Sequence, residues 1–216
     1  MDKRELPNYQ IAEAAWALGL PPTTVRRWVG RKGKVGIVVP AQDEPPALSF
    51  FNLAELYVLA SVRRLQGVPL ESVRRALATL ERLAAGPHPL ISQEFLTDGV
   101  SLFTKAYGDL TNLSRSGQIA LAELLEASLR RVDRDDRGKP IRLYPWRSRP
   151  DEPKHLVLDP AVSFGRLAIA GTGVPVDVLT EFWRAGDPTS RIAAGYRLDP
   201  GLVEEAVRWG TQKAAA

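Results

Sequence analysis

Five basic residues fall within nine positions: Arg26, Arg27, Arg31, Lys32 and Lys34, with no acidic residue between them. Such a cluster suits a polyanion. Guanidinium forks fit phosphate oxygens and the edges of bases, and ammonium groups neutralise phosphate charge. Groups for bond-breaking chemistry are sparse by comparison. The chain has no cysteine, which excludes disulfides, thiolate metal sites and a cysteine nucleophile. Its two histidines, His88 and His155, are flanked by Pro or Lys and are too few for a histidine metal site. Asp133, Asp135 and Asp136 begin like a calcium loop, but Arg137 and Tyr144 stand where the fifth and twelfth ligands are needed. Gly171-Thr172-Gly173 is not followed by Gly-Lys-Ser/Thr, so it reads as a tight turn and not a phosphate loop. Glu204 and Glu205 are adjacent on a predicted helix and so diverge. The sequence therefore predicts a binding protein with no catalytic residue, no metal and no cofactor.

The basic cluster needs elements to aim it. Ile11, Ala14, Ala15 and Leu18 repeat at helical spacing, with Asn8 as a candidate cap and Gly19 as a stop. Pro21-Pro22 opens a second helix over about 22–29, since proline suits the first helical turn. Burying Val25, Trp28 and Val29 would leave Thr23, Thr24, Arg26 and Arg27 to face a major groove. Arg31, Lys32 and Lys34 precede the β-branched run 35–39, a hairpin or wing that would hold flanking phosphates. Helix, short turn, helix and wing together predict a winged helix-turn-helix.

Beyond it, Asn52 and Glu55 have the spacing of a reciprocal cap for a helix carrying Leu53, Leu56, Tyr57, Ala60 and Leu65. Leu70, Val73, Leu77, Leu80 and Ala84 form an apolar seam, either packing on its own domain or pairing two chains. Residues 86–89 are a breaker cluster. Residues 94–104 and 107–113 read as short strands around Asp98-Gly99 and Gly108-Asp109, followed by a helix over 118–132 and a strand over 141–144. Residues 145–153 read as a Pro- and Arg-rich linker. Two extended runs, 155–158 and 167–169, then precede helices begun by Pro175, Asp187-Pro188 and Asp199-Pro200. The expected fold is mainly α with small β elements. It comprises a winged helix-turn-helix (residues 1–85), an α+β middle region (88–145) and a C-terminal three-helix domain with a strand-bearing arm (154–212).

Composition and charge agree with this. The 216 residues are 44% hydrophobic and 25% charged, an ordinary globular balance. No apolar run approaches the ~18 residues of a membrane span, and the first ten residues lack a signal-peptide core, so a cytoplasmic protein is expected. Residues 1–78 hold 11 Lys and Arg against 7 Asp and Glu, whereas residues 151–216 hold 7 against 9. Attraction to a polyanion belongs to the N-terminal part.

Two stretches resemble known families. IAEAAWALGLPPTTVRRWV and SFFNLAELYVLASVRRLQGVPLESVRRALATL resemble a MerR-type winged helix-turn-helix, in particular the DNA-binding domain of VapB-like antitoxins. The C-terminal part is similar to the family named domain of unknown function 433. The likeness rests on Asp159-Pro160, Phe164-Gly165-Arg166, Ile169, Gly171-Thr172, Val174-Pro175, Ala185-Gly186, Ile192, Tyr196 and Leu198. Leu167 departs from the proline usual there, and Gly173 from a frequent arginine. The resemblance implies the antitoxin of a bacterial type II toxin–antitoxin system. Such a protein neutralises a cognate toxin, often a PIN-type ribonuclease, and represses its own operon as a dimer on operator DNA. The alternative is a MerR-like regulator answering another signal. On the antitoxin reading, toxin would meet residues outside the DNA-binding domain. Either Arg142, Arg147, Arg149 and Arg166 pair with the carboxylates of its active site, or Trp146, Phe164 and Trp183 supply an apolar surface.

Overall fold

A computed structural model describes residues 2–30, 36–63, 70–80 and 87–211. Its architecture is mainly helical with small antiparallel sheets. The first strand, β1 (Tyr9–Gln10), leads into α1 (Ile11–Ala17) and, after a turn, α2 (Pro22–Trp28). Glu13 accepts the Gln10 N–H at 2.8 Å and so helps cap α1. Asn8, the expected cap, instead donates to the Phe164 carbonyl at 2.8 Å. Gly19, at φ +64°, adopts the left-handed conformation that ends the first helix. Of the run 35–39, expected as a hairpin or wing, Val35 lies outside the described residues; Val38 bridges Val29, and the Gly30 N–H donates to the Val38 carbonyl at 2.8 Å. A hairpin of β2 (Gln42–Asp43) and β3 (Pro46–Leu48) follows, and β3 also pairs with β1.

The axis of the core is α3 (Phe50–Arg63), buried without interruption from Phe50 to Val62. It begins two residues before the expected Asn52. The reciprocal cap is real but differently placed: the Asn52 N–H donates to Ser49 Oγ at 3.1 Å, and the Ser49 N–H donates to Asn52 Oδ1 at 3.0 Å. Next, α4 (Leu70–Leu80) buries Val73, Ala76 and Leu77 and packs on α5 (Val100–Thr111). This part of the apolar seam is thus covered by the chain itself. The side chains of Leu70 and Leu80, and all of Leu65 and Ala84, lie outside the described residues.

One carboxyl sits inside this core. Glu55 is 2% exposed, and its Oε2 lies 2.8 Å from His88 Nδ1. Burial pushes the Glu55 pKa above the usual carboxylate range, and the histidine only partly opposes that. The unfolded chain gives up this proton at lower pH than the folded one, so stability falls as pH rises through and above the ordinary carboxylate range. Glu55→Gln is expected to flatten the pH profile of the urea midpoint. It should leave the variant at least as stable as the wild type at pH 8. A wild-type profile retained in the variant would refute this.

The stretch expected as two strands over 94–104 and 107–113 is helical through Thr111. A π-helical turn (Phe95–Gly99) runs directly into α5. Phe95, Phe103 and Tyr107 share one face, with ring centroids 6.4 and 6.0 Å apart along the series. Gly108 is not a turn residue. It lies inside α5 and faces α6 (Arg115–Leu129), where the end of the flexible Gln118 side chain fills the space beside it. Ser114 caps α6 by accepting the Gly117 N–H at 3.2 Å.

The second sheet has the order β4-β5-β6-β7, all antiparallel: Val132–Arg134, Pro140–Leu143, Leu156–Leu158 and Leu167–Ile169. It takes two strands from each side of residues 145–153, the expected linker. That segment is tied down from within. Arg131, 3% exposed, donates to the carbonyls of Tyr144 (2.8 Å), Pro150 (3.0 Å), Glu152 (2.5 Å), Pro145 and Pro153 (both 3.4 Å). The Glu152 carboxylate accepts the backbone N–H groups of Arg147, Ser148 and Arg149. Burial alone would raise its pKa, but these donors outweigh burial and hold the carboxyl below its usual range. The expected C-terminal helices are present as α7 (Val176–Arg184), α8 (Thr189–Tyr196) and α9 (Pro200–Thr211). No described helix is long and apolar enough to cross a membrane.

Candidate nucleic-acid and partner-binding surfaces

α2 is anchored by Val25 and Trp28, which are buried, and packs against α1. Helical spacing then leaves Thr23, Arg26 and Arg27 exposed together. Thr24 does not join them. It is 4% exposed, and its hydroxyl accepts from Arg63 Nη1 at 2.6 Å, which fixes α2 to the end of α3. Arg31, Lys32 and Lys34 lie outside the described residues. The described part of the basic cluster is therefore a short solvent-facing helix with two adjacent arginines, the form needed to enter a groove.

The residues considered for a protein partner separate into two groups. Trp146 is 2% exposed and belongs to the core, so it offers no docking surface. Arg147 is turned inward: Nη2 donates to the Trp209 carbonyl at 2.7 Å, and the guanidinium lies 4.3 Å from the Trp209 ring centroid. Arg142 Nε donates to Asp159 at 2.8 Å, and Arg166 is ion-paired with Asp177. With Arg149 paired to Asp151 at 3.5 Å on the surface, all four arginines have a partner within the chain. Arg149 remains largely exposed beside Asp151, as do Trp183 on α7 and above all Phe164, which is 89% exposed.

Phe164 owes its exposure to its backbone. Ser163, Phe164 and Gly165 have φ of +48°, +57° and +78°, a left-handed run that only glycine adopts without cost. Two residues of the N-terminal part lock it: Asn8 bonds the Phe164 carbonyl, and the Tyr9 hydroxyl donates to the Gly165 carbonyl at 3.0 Å. A Cβ at Gly165 would lie 2.2 Å from that hydroxyl. Beside this turn an open cleft of about 590 Å³ separates α1 from α7. Glu13 and Trp16 line one wall, and Asp177, Glu181 and Arg184 line the other. The residue spacing gave no sign of these positions, because the two walls are more than 150 residues apart in sequence. The Gly171–Gly173 turn is structural: Thr172 Oγ1 donates to the Ile169 carbonyl and accepts the Val174 N–H.

Comparison with known proteins bears on two parts of the sequence resemblance, the C-terminal family and the likeness to antitoxins. Residues 156–209 match the family described as "Protein of unknown function (DUF433)". A Mycobacterium tuberculosis protein named "Putative antitoxin VapB45" is 29% identical over 231 aligned positions, covering 94% of this chain and 93% of the relative. The crystal structure of Rv2018 from Mycobacterium tuberculosis superposes with a TM-score of 0.70 at 26% identity, covering 94% of this chain and 98% of that one. The chain is therefore similar, across nearly its whole length, both to a protein named as an antitoxin and to a solved mycobacterial structure, and it carries a segment of the DUF433 type at its C-terminal end.

Proposed function

We propose that this protein is the antitoxin of a type II toxin–antitoxin pair. It binds and neutralises a cognate toxin of the PIN ribonuclease type, and as a homodimer it represses its own operon through the helices α1 and α2. The observation that carries the reading is the end-to-end similarity to a relative named as an antitoxin. The exposed Arg26 and Arg27 on a short, well-anchored helix support the DNA-binding part. The direct test is co-expression with the product of the neighbouring gene. The reading expects a stable complex and loss of that product's toxicity, and a product that neither binds nor is toxic would refute it.

On operator DNA, Arg26→Ala or Arg27→Ala is expected to cost ~1–3 kcal/mol if the side chain reads a base. Replacing Arg31, Lys32 and Lys34 together by Ala should flatten the salt dependence instead, by about 0.9 in log K against log salt for each phosphate no longer neutralised. Titrations at several salt concentrations separate the two effects. Unchanged affinity and slope after all five substitutions would remove DNA binding from this region.

A further inference from the structure

We propose that α8 and α9 form a second helix-turn-helix on the backbone plan of α1 and α2, and that Glu204 and Glu205 are specificity residues that keep it off DNA. The inference rests on the reading of α1 and α2 as the DNA-binding pair. It adds which helix of the chain takes the groove and what bars the other.

The two motifs correspond residue for residue, without a gap. Gly19 and Arg197 hold the same place in the turn, and both are left-handed, with φ of +64° and +55°. The same bonds close the first helix of each motif. The Gly19 N–H donates to the Trp16 carbonyl at 3.1 Å and the Leu20 N–H to the Ala15 carbonyl at 2.8 Å. Likewise the Arg197 N–H donates to the Ala194 carbonyl at 3.3 Å and the Leu198 N–H to the Ala193 carbonyl at 2.9 Å. The second helices also start alike, with Pro22 and Pro200 in first place. There the Val25 N–H donates to the Pro21 carbonyl and the Val203 N–H to the Asp199 carbonyl, both at 3.3 Å. Burial keeps this register: Ala15, Val25 and Val29 are buried, and so are Ala193, Val203 and Val207. A left-handed arginine in place of glycine has a conformational cost, so the packing of the two helices enforces the turn. Helices so related present the outer face of the second one to a major groove.

The charge on that face is reversed. The register sets Glu204 and Glu205 where α2 carries Arg26 and Arg27. Arg26, Arg27 and Glu204 are exposed, while Glu205 is partly exposed and paired with His155. The motif's basic residues are Arg197, in the turn, and Arg208, one turn beyond Glu204. Both lie outside the N-terminal half of α9, the part of a recognition helix that meets base edges. Carboxylates there would face the phosphates that line a groove, and like charges repel. One scaffold thus appears twice, and the sign of two side chains selects which copy accepts DNA.

The test uses the full-length chain and a short DNA duplex of mixed sequence, with Arg26→Ala and Arg27→Ala as the background that silences α2. Adding Glu204→Arg and Glu205→Arg is expected to raise affinity at low salt about tenfold or more. The slope of log K against log salt should steepen by about 0.9 for each phosphate the new arginines neutralise. Glu204→Arg alone leaves the contact of Glu205 with His155 in place and should give part of both effects. Glu123→Arg with Glu126→Arg makes an equal charge change at exposed positions of α6 and should give much less. An equal gain from the α6 pair would overturn the proposal. So would no gain from the α9 variants when the unfolding midpoint of Glu204→Arg matches the background. The reading of α1 and α2 is judged separately, by wild type against the background chain. If those two bind the duplex alike, that reading falls, and the α9 comparison still decides the second motif.

Discussion

Arg131→Met is expected to lower the free energy of unfolding by about 3–5 kcal/mol, a large share of the ~5–15 kcal/mol available to a domain. The guanidinium is nearly inaccessible and bonds five backbone carbonyls between Tyr144 and Pro153. Methionine fills much of the same space but donates nothing, so those carbonyls face an apolar side chain. Arg131→Lys should recover only part of the loss, because an ammonium offers three donors from one point and cannot span the same fan of acceptors. Urea midpoints for the three proteins check this. A wild-type midpoint for Arg131→Met would show that residues 145–153 hold their course by other means.

Trp146→Ala is expected to cost a comparable ~3–5 kcal/mol, because an indole removed from a packed interior leaves a cavity that its surroundings fill only partly. The same variant separates a folding role from a docking role. At temperatures where it remains folded, its affinity for the partner should match the wild type. A weakened complex with an unchanged urea midpoint would instead place the indole on the partner surface.

Local signals revealed local structure. The C-terminal helices begin at the expected prolines, but only α9 has the expected cap: Asp199 accepts the Gly201 N–H at 2.8 Å with Pro200 in the first turn, whereas Pro175 and Pro188 are themselves the residues before α7 and α8, and Asp187 pairs with Arg191 and caps nothing. The start of α2 was legible for the same reason, with Pro22 in its first turn, whereas Asn8 proved not to be the cap of α1. The helical stretch around α5 was not. Asp98-Gly99 and Gly108-Asp109 look like turns in isolation, yet both glycines lie within the helical run, Gly99 in its π-helical turn and Gly108 in α5. The segment 145–153 reads as a linker because its order comes from Arg131, which lies outside it. Thr24 has the spacing of a groove-facing residue, and only the arrival of Arg63 makes it a buried acceptor. The cleft left still less trace, since its walls meet only in the folded chain.

The tie between the first ten residues and the later chain bears on how the protein is made. Arg4 reaches Asp135 and the Pro140 carbonyl, and Asn8 and Tyr9 reach Phe164 and Gly165. These bonds close loops of 131–156 residues. Such pairings raise contact order and slow folding, although closure entropy grows only logarithmically with loop length. At a synthesis rate of ~5–20 residues per second, the Tyr9 hydroxyl waits roughly 10–30 s before its acceptor leaves the ribosome. During that interval residues 4–9 stand on the nascent chain without these partners, and a truncated polypeptide ending before residue 163 would never supply the acceptors of Asn8 and Tyr9.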